Sequence, residues 1–348
     1  MKLLNETINS ISKIDRKCMD LAQQRLDSFF KPVGSLGKLE DICVQLSGIY
    51  KKTDFDTSKK AILAFAADHG IYEEGVAPDP QEITKLQIPN FVKGVSGVGC
   101  LAKSANADVI AVDVGINCDD SIDGVLDYKI RKGTSNMAKG PAMTYDEAIR
   151  SLEIGIELSN KLINDGYTVL GIGEMGIGNT SATSAIISVF ADLDPLDVTG
   201  MGAGLNSDSI IKKASTIKKA ININNPIKED PIDVLSKVGG FEIGAMAGVI
   251  LSASNNNIPV VLDGFISYSA AIIAYTLSNT AKEYMIASHF SKEKASSTAL
   301  DLLKLEPMLY MNMRLGEGSG AALAFNIIEA ANYMYKNMVK RDEICSIV

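Results

Sequence analysis

Thr168-Val-Leu-Gly-Ile-Gly-Glu-Met-Gly-Ile-Gly-Asn-Thr180 is the stretch from which the chain is best read. Its opening run, apolar and rich in β-branched residues, predicts a buried strand. Glycines at 171, 173, 176 and 178 then break it into a loop. Asn179-Thr180-Ser181 offers side chains able to cap a helix, and Ala182 to Val189 continues as an apolar helix. A strand, a glycine loop and a helix N-terminus in that order make an anion cradle. Bare N–H groups point outward, the helix dipole adds positive potential, and no Cβ obstructs a phosphate. Yet Glu174 lies inside the loop. A carboxylate there opposes a close phosphate unless it serves another part of the ligand, such as a sugar hydroxyl.

The same punctuation recurs on both sides. Ala61 to Ala67 is a continuous apolar run ending in Asp68-His69-Gly70, and Asp108 to Val112 ends in Asp113-Val-Gly115. Ile258 to Leu262 ends in Asp263-Gly264, Tyr284 to Ala287 in Ser288-His289, and Met308 to Met313 in Arg314-Leu-Gly-Glu-Gly-Ser-Gly320. Strands without polar alternation are buried on both faces, and helical stretches between them imply a parallel sheet. Each strand delivers a polar or glycine-rich turn at its C-terminal end, the edge where open α/β sheets bind ligands. One large doubly wound α/β domain, over residues 56–320, is expected. The first fifty residues carry Ile8, Ile11, Ile14, Met19, Leu21 and Leu26 at helical spacing, then a loop from Lys31 to Lys38 and an amphipathic Leu39 to Tyr50. With the amphipathic Ala321 to Met338, residues 1–55 and 321–348 are expected to form a small helical domain.

The chain has 348 residues and a net charge of −8, so nothing supplies a basic stripe for nucleic acid. Cys18, Cys43, Cys100, Cys118 and Cys345 are scattered, odd in number and without CxxC spacing, which fits a reduced cytoplasmic protein. The N-terminus lacks the apolar core of a signal peptide, and the most apolar windows fall short of the ~20 residues of a membrane span. His69 and His289 are not at metal-ligand spacing, so neither a metal nor a cofactor is expected.

Gly171-Ile-Gly-Glu-Met-Gly176 matches the dinucleotide fingerprint, but Ala191 to Asp197 reads as a turn where that fingerprint wants a strand and a ribose-binding acid. A Walker-type loop is excluded for want of Gly-Lys-Ser/Thr, and no Gly-x-Ser-x-Gly elbow follows a strand. Thr199 to Leu205 is a second glycine cluster, followed by Lys212 and Lys213. It is either a tight interhelical loop beside solvated lysines, or further N–H donors with a lysine closing on the same phosphate. Asp68, Asp113 and Asp263 are read as loop caps, sugar ligands or metal ligands, capping being the commonest use. Glu317, between Gly316 and Gly318 at a strand's C-terminal end, makes few packing contacts by that setting. Partly desolvated in a cleft, it becomes a competent proton acceptor.

These residues carry a resemblance. Lys31-Pro-Val-Gly-Ser-Leu-Gly-Lys-Leu-Glu40, Ala67-Asp-His-Gly70 with Glu74-Gly-Val76, and Gly171 to Thr180 match in order. So do Gly239-Gly-Phe-Glu-Ile-Gly244, Leu262-Asp-Gly-Phe265 and Arg314 to Gly320. Together they resemble the nicotinate-nucleotide–dimethylbenzimidazole phosphoribosyltransferase family. The resemblance implies a Rossmann-like parallel sheet with a small helical domain from both chain ends, in a homodimer. It implies transfer of phosphoribose from nicotinate mononucleotide to a benzimidazole-type base, without a cofactor, in assembly of the cobalamin nucleotide loop. Carried over, Glu317 is the base. Glu174 with Gly176, Gly178, Asn179 and Thr180 holds the ribose, and Gly202, Ala203, Lys213 and Ser291 bind the phosphate with Asp263 and Gly264 nearby.

One region departs from the family. Where members carry Gly-Val-Ser and a Gln-Met pair, this chain reads Gly75-Val-Ala77-Pro-Asp-Pro80 and Leu86-Gln87. With Leu315, the residues Ala77, Pro80, Leu86 and Gln87 are expected to line the base pocket. The lost hydroxyl predicts an altered preference, toward purines or substituted benzimidazoles. A nucleotide sensor without catalysis, or a dehydrogenase, are the alternatives from other classes; a sensor has no need of Glu317.

Overall fold

The computed structural model describes residues 1–200, 202 and 207–345. Three helices open the chain: α1 (Lys2–Ser10), α2 (Arg16–Ser28) and α3 (Lys38–Tyr50). β1 (Lys60–Ala67) follows, then α4 (Ile83–Lys93), α5 (Gly97–Ser104), β2 (Ala107–Gly115) and the two-residue β3 (Leu126–Asp127). The middle runs α6 (Tyr145–Asn164), β4 (Val169–Met175), α7 (Asn179–Ala191), α8 (Pro195–Val198), α9 (Ser207–Asn224), α10 (Pro231–Val238) and α11 (Phe241–Asn255). β5 (Val260–Leu262), α12 (Phe265–Leu277), β6 (Met285–Ala287), α13 (Ser296–Leu303), α14 (Ser319–Asn337) and α15 (Arg341–Cys345) complete it.

The strands form one six-stranded sheet in the order β3-β2-β1-β4-β5-β6, with every pairing parallel. Each residue of β1 is buried. Alternate side chains feed two cores: Ala61, Leu63, Phe65 and Ala67 join α6, α7, α11 and α12, whereas Ile62, Ala64 and Ala66 join α2, α3, α5 and α14. A strand sandwiched this way has no solvent face to vary, which is why its sequence shows no alternation.

Chain order reverses between β1 and β4, so their C-terminal ends diverge into a crevice. β1 ends there at Asp68-His69, and β4 ends at Glu174-Met175. Close helix packing behind the sheet depends on small residues. A Cβ on Gly155 of α6 would lie 1.9 Å from the Ala245 carbonyl oxygen, and one on Gly248 of α11 would lie 2.0 Å from that of Leu152. Gly244 meets Ser151 in the same way.

Two expectations fail. Met308 to Met313 is not a strand. Leu309 makes a single parallel bridge to His289, and Asn312 turns left-handed at φ 56°. Pro307 has no N–H to extend the ladder, and Tyr310 and Met311 lie at the open edge, 70% and 54% exposed. The sixth strand is instead β3, too short and too exposed to leave an apolar run. Nor do the side chains of Asn179-Thr180-Ser181 cap α7. Its N-cap is Gly178 at φ 101°, with no side-chain cap, and Asn179 already belongs to the helix.

Candidate active site

A cavity of about 400 Å³ opens at the β1/β4 crevice, within the range of small-ligand sites. Glu317 is 5% exposed and points into it from the loop before α14. Both its oxygens are held. Oε1 accepts from the Gln87 side-chain amide at 2.7 Å, and Oε2 accepts from the Val98 N–H, in the first turn of α5, at 2.9 Å. Each carboxylate oxygen retains a free lone pair. The backbone beneath is strained: Glu317 has φ 67°, between Gly316 at 87° and Gly318 at 100°. This left-handed run lets the loop cross directly over β4, where a Cβ on Gly173 would lie 2.2 Å from the Glu317 carbonyl oxygen.

Glu174 lies alongside. One oxygen accepts from the Asn179 side-chain amide, and the other from the Glu317 N–H at 3.4 Å. Burial, then the neighbouring Asp263 and Glu242 charges, push its carboxyl up to about 8, against the lowering contacts of Asn179 and Glu317. Glu174 therefore favours its protonated form at neutral pH. Asp263, from the end of β5, turns to the backbone instead. Its oxygens accept from Gly320 N–H at 2.6 Å and Gly318 N–H at 3.0 Å, so it caps α14 and ties the Glu317 loop to the sheet. Burial still raises it to about 7. Of the uses open to Asp263, capping is the one its hydrogen bonds show.

At the other end of the cavity, Lys213 of α9 is 2% exposed and donates to the Thr180 hydroxyl at 2.6 Å. Burial lowers its ammonium to about 8. Its sequence neighbour Lys212 faces solvent, so the paired lysines split between roles. Gly202, Ser291, Glu293 and Arg314 complete this corner, with Arg314 donating to the Gly202 carbonyl at 3.1 Å.

Glu317, Glu174, Gly176, Gly178, Asn179, Thr180, Gly202, Lys213, Asp263, Gly264, Ser291, Ala77, Gln87 and Leu315 all line the one cavity. Pro80 and Leu86 do not. Pro80 is exposed, and Leu86 projects outward, 68% exposed, because its neighbour Gln87 takes the inward face of α4. Ala203, like Met201, lies outside the described residues. His289 lines the cavity, and burial depresses it to about 4, so it is neutral. His69 instead pairs with the fully buried Glu242 at 2.7 Å, behind the glycine loop. No group of metal-ligating side chains occurs among the described residues. The sequence reading gave Arg314 and Glu293 no role; Glu293 follows Ser291 by two positions, and only the fold brings it to Gly202.

The phosphoribosyltransferase family model matches residues 11–344. The nicotinate-nucleotide–dimethylbenzimidazole phosphoribosyltransferase of Clostridioides difficile is 64% identical over 99% of both chains, and that of Alkaliphilus metalliredigens 52% over 99% of both. The crystal structure of the Thermus thermophilus protein of that name superposes with a TM-score of 0.89 at 33% identity, covering 95% of this chain and 99% of its own. The chain belongs to the nicotinate-nucleotide–dimethylbenzimidazole phosphoribosyltransferase family and is an enzyme of that family.

Proposed function

We propose that this chain transfers phosphoribose from nicotinate mononucleotide to a ring nitrogen of a benzimidazole-type base, releasing nicotinate, with Glu317 as the general base. The observation that carries the assignment is the Glu317 carboxylate, oriented by Gln87 and the α5 N-terminus and facing a cavity with Lys213 at its far end. The nucleotide phosphate lies toward Lys213, Thr180, Gly202 and Ser291, and the ribose lies over the loop 176–180 beside Glu174. One nitrogen of the acceptor attacks the anomeric carbon. The bond from that carbon to the pyridinium nitrogen breaks, and its electron pair returns to the ring, so nicotinate leaves with a neutral ring nitrogen and needs no acid. The acceptor's other nitrogen gives its proton to Glu317. Positive charge gathers on the ribose in the transition state, and Glu174, ionised beside the cationic pyridinium ring, stabilises it.

The acceptor base lies between Glu317 and Leu315, with Ala77 and Gln87 at its edge. Ala77 offers no hydroxyl, so acceptors that rely on a hydrogen bond there lose their advantage and purines compete. The protein works as a cytoplasmic homodimer in this reading, with helices from residues 1–55 and 321–348 as its small domain. The packing of α2, α3 and α14 on one another supports that grouping, although the same cluster continues into β1, α4 and α5 and α1 packs through Leu4 into the other core. Among the described residues no helix is long and apolar enough to cross a membrane.

The test is incubation with nicotinate mononucleotide and a panel of bases, following free nicotinate by chromatography. Base-dependent release is expected, with adenine competing against dimethylbenzimidazole; no release with any base contradicts the reading. Rejection of adenine in direct competition contradicts the preference alone.

A further inference from the structure

The phosphate end of the cavity holds a carboxylate for which the proposed reaction has no use. Glu293 lines the cavity beside Gly202, Lys213, Ser291 and Arg314. Burial raises its carboxyl, while the Lys213 ammonium, the Gly202 N–H and the Arg314 guanidinium act to lower it. Glu293 is half-buried and lies against Gly200, where a Cβ would come within 2.5 Å of its Oε2. Arg314 also donates to the carbonyl of Gly202, so one residue's backbone is gripped from both sides.

A buried ammonium without a counter-charge is unfavourable. The Thr180 hydroxyl, the one hydrogen-bond partner found for Lys213 among the described residues, is neutral. Burial lowers the Lys213 ammonium, and the nearby Glu293 carboxylate opposes that in part. A phosphate group needs the same N–H and the same cations, and two anions do not share them without repulsion.

We propose that Glu293 is a resident anion, occupying the phosphate corner of the empty cavity, and that a mononucleotide's phosphate binds by displacing it from Gly202, Lys213 and Arg314. The proposal rests on the phosphoribosyl reading of the cavity. Displacement selects for phosphate carried on a ribose. A phosphate tethered to a sugar that makes its own contacts drives the exchange, whereas free inorganic phosphate has to expel the carboxylate unaided.

The test is calorimetric titration of the parent and Glu293→Gln with inorganic phosphate, nicotinate mononucleotide and the phosphate-free nicotinate riboside. Removing the competing charge is expected to tighten phosphate and mononucleotide roughly tenfold, leaving the riboside within about twofold. Glu293→Ala is expected to shift both in the same direction, with a melting scan confirming that each variant is folded. If the carboxylate is instead an anchor for Gly202, both substitutions weaken phosphate binding and the proposal falls. Unchanged phosphate affinity in both variants overturns it equally. If inorganic phosphate tightens while the mononucleotide binds neither protein, the resident anion stands and the phosphoribosyl reading falls.

Discussion

Glu317 occupies a left-handed backbone position that ordinary residues avoid, and a glycine would adopt it with less strain. Strain of this kind persists where the surroundings over-determine it. Here they do: Asp263 grips the loop on its C-terminal side, Glu174 accepts its N–H, and Gln87 and Val98 fix the carboxylate. Glu174 makes a testable trade. An ordinary glutamate titrates near pH ~4.3, whereas the folded protein holds this one up to about 8. Between those values the native state keeps a proton that the unfolded chain has lost, so stability falls as pH rises through that window. Glu174→Gln removes the penalty. Thermal scans are expected to show the variant melting above the parent at pH 9, by the equivalent of a few kcal/mol, with the gap closing toward pH 4, while turnover drops. Lys213 works in the opposite sense. Burial sets its ammonium at about 8, so the KM for the mononucleotide is expected to climb as pH rises past that value, with the phosphate-free riboside much less affected.

At the scale of elements, the strands that could be read from sequence were those buried on both faces, since continuous apolar runs carry the signal. β1, β4, β5 and β6 were legible for that reason, β2 only in part because its first half is not buried, and Glu174 and Glu317 because glycines flank or closely precede them, although no strand precedes Glu317. Edges were read unevenly: the edge strand β6 was found within Tyr284 to Ala287, whereas β3 was missed. The apolar letters of Met308 to Met313 cover neighbouring structure and open surface, not a ladder, and β3 has a single apolar letter, the exposed Leu126. Asp263 shows a further limit: sequence offers its carboxylate, but only the fold reveals that two backbone N–H groups claim it. Gly173 was read as a loop glycine but lies within β4, and its purpose is contact between elements. Gly173→Ala places a Cβ against the Glu317 backbone. It is expected to lower turnover by roughly a hundredfold through misplacement of the base, and to destabilise the fold by about 1–3 kcal/mol; steady-state kinetics and urea melts separate the two. Gly248→Ala, far from the cavity but tight against Leu152, is expected to cost stability of that order and leave the KM for the mononucleotide unchanged.

For the whole molecule, two parallel half-sheets meet at a crevice that gathers residues from distant parts of the chain, Ala77 to Glu317, into one cavity. Leu315 lines that cavity yet is 61% exposed, a setting that a second subunit would cover. Sedimentation equilibrium is expected to return about twice the 37.2 kDa chain mass, and a monomer at assay concentration would contradict the dimer. The most direct test of the central claim pairs two readings on Glu317→Gln: nicotinate release with a saturating base, and affinity for nicotinate mononucleotide. Release slowed about 10²–10⁴-fold with affinity kept within about twofold is the predicted result. Release at the parent rate would contradict it, as would a loss of rate fully matched by a loss of nucleotide binding.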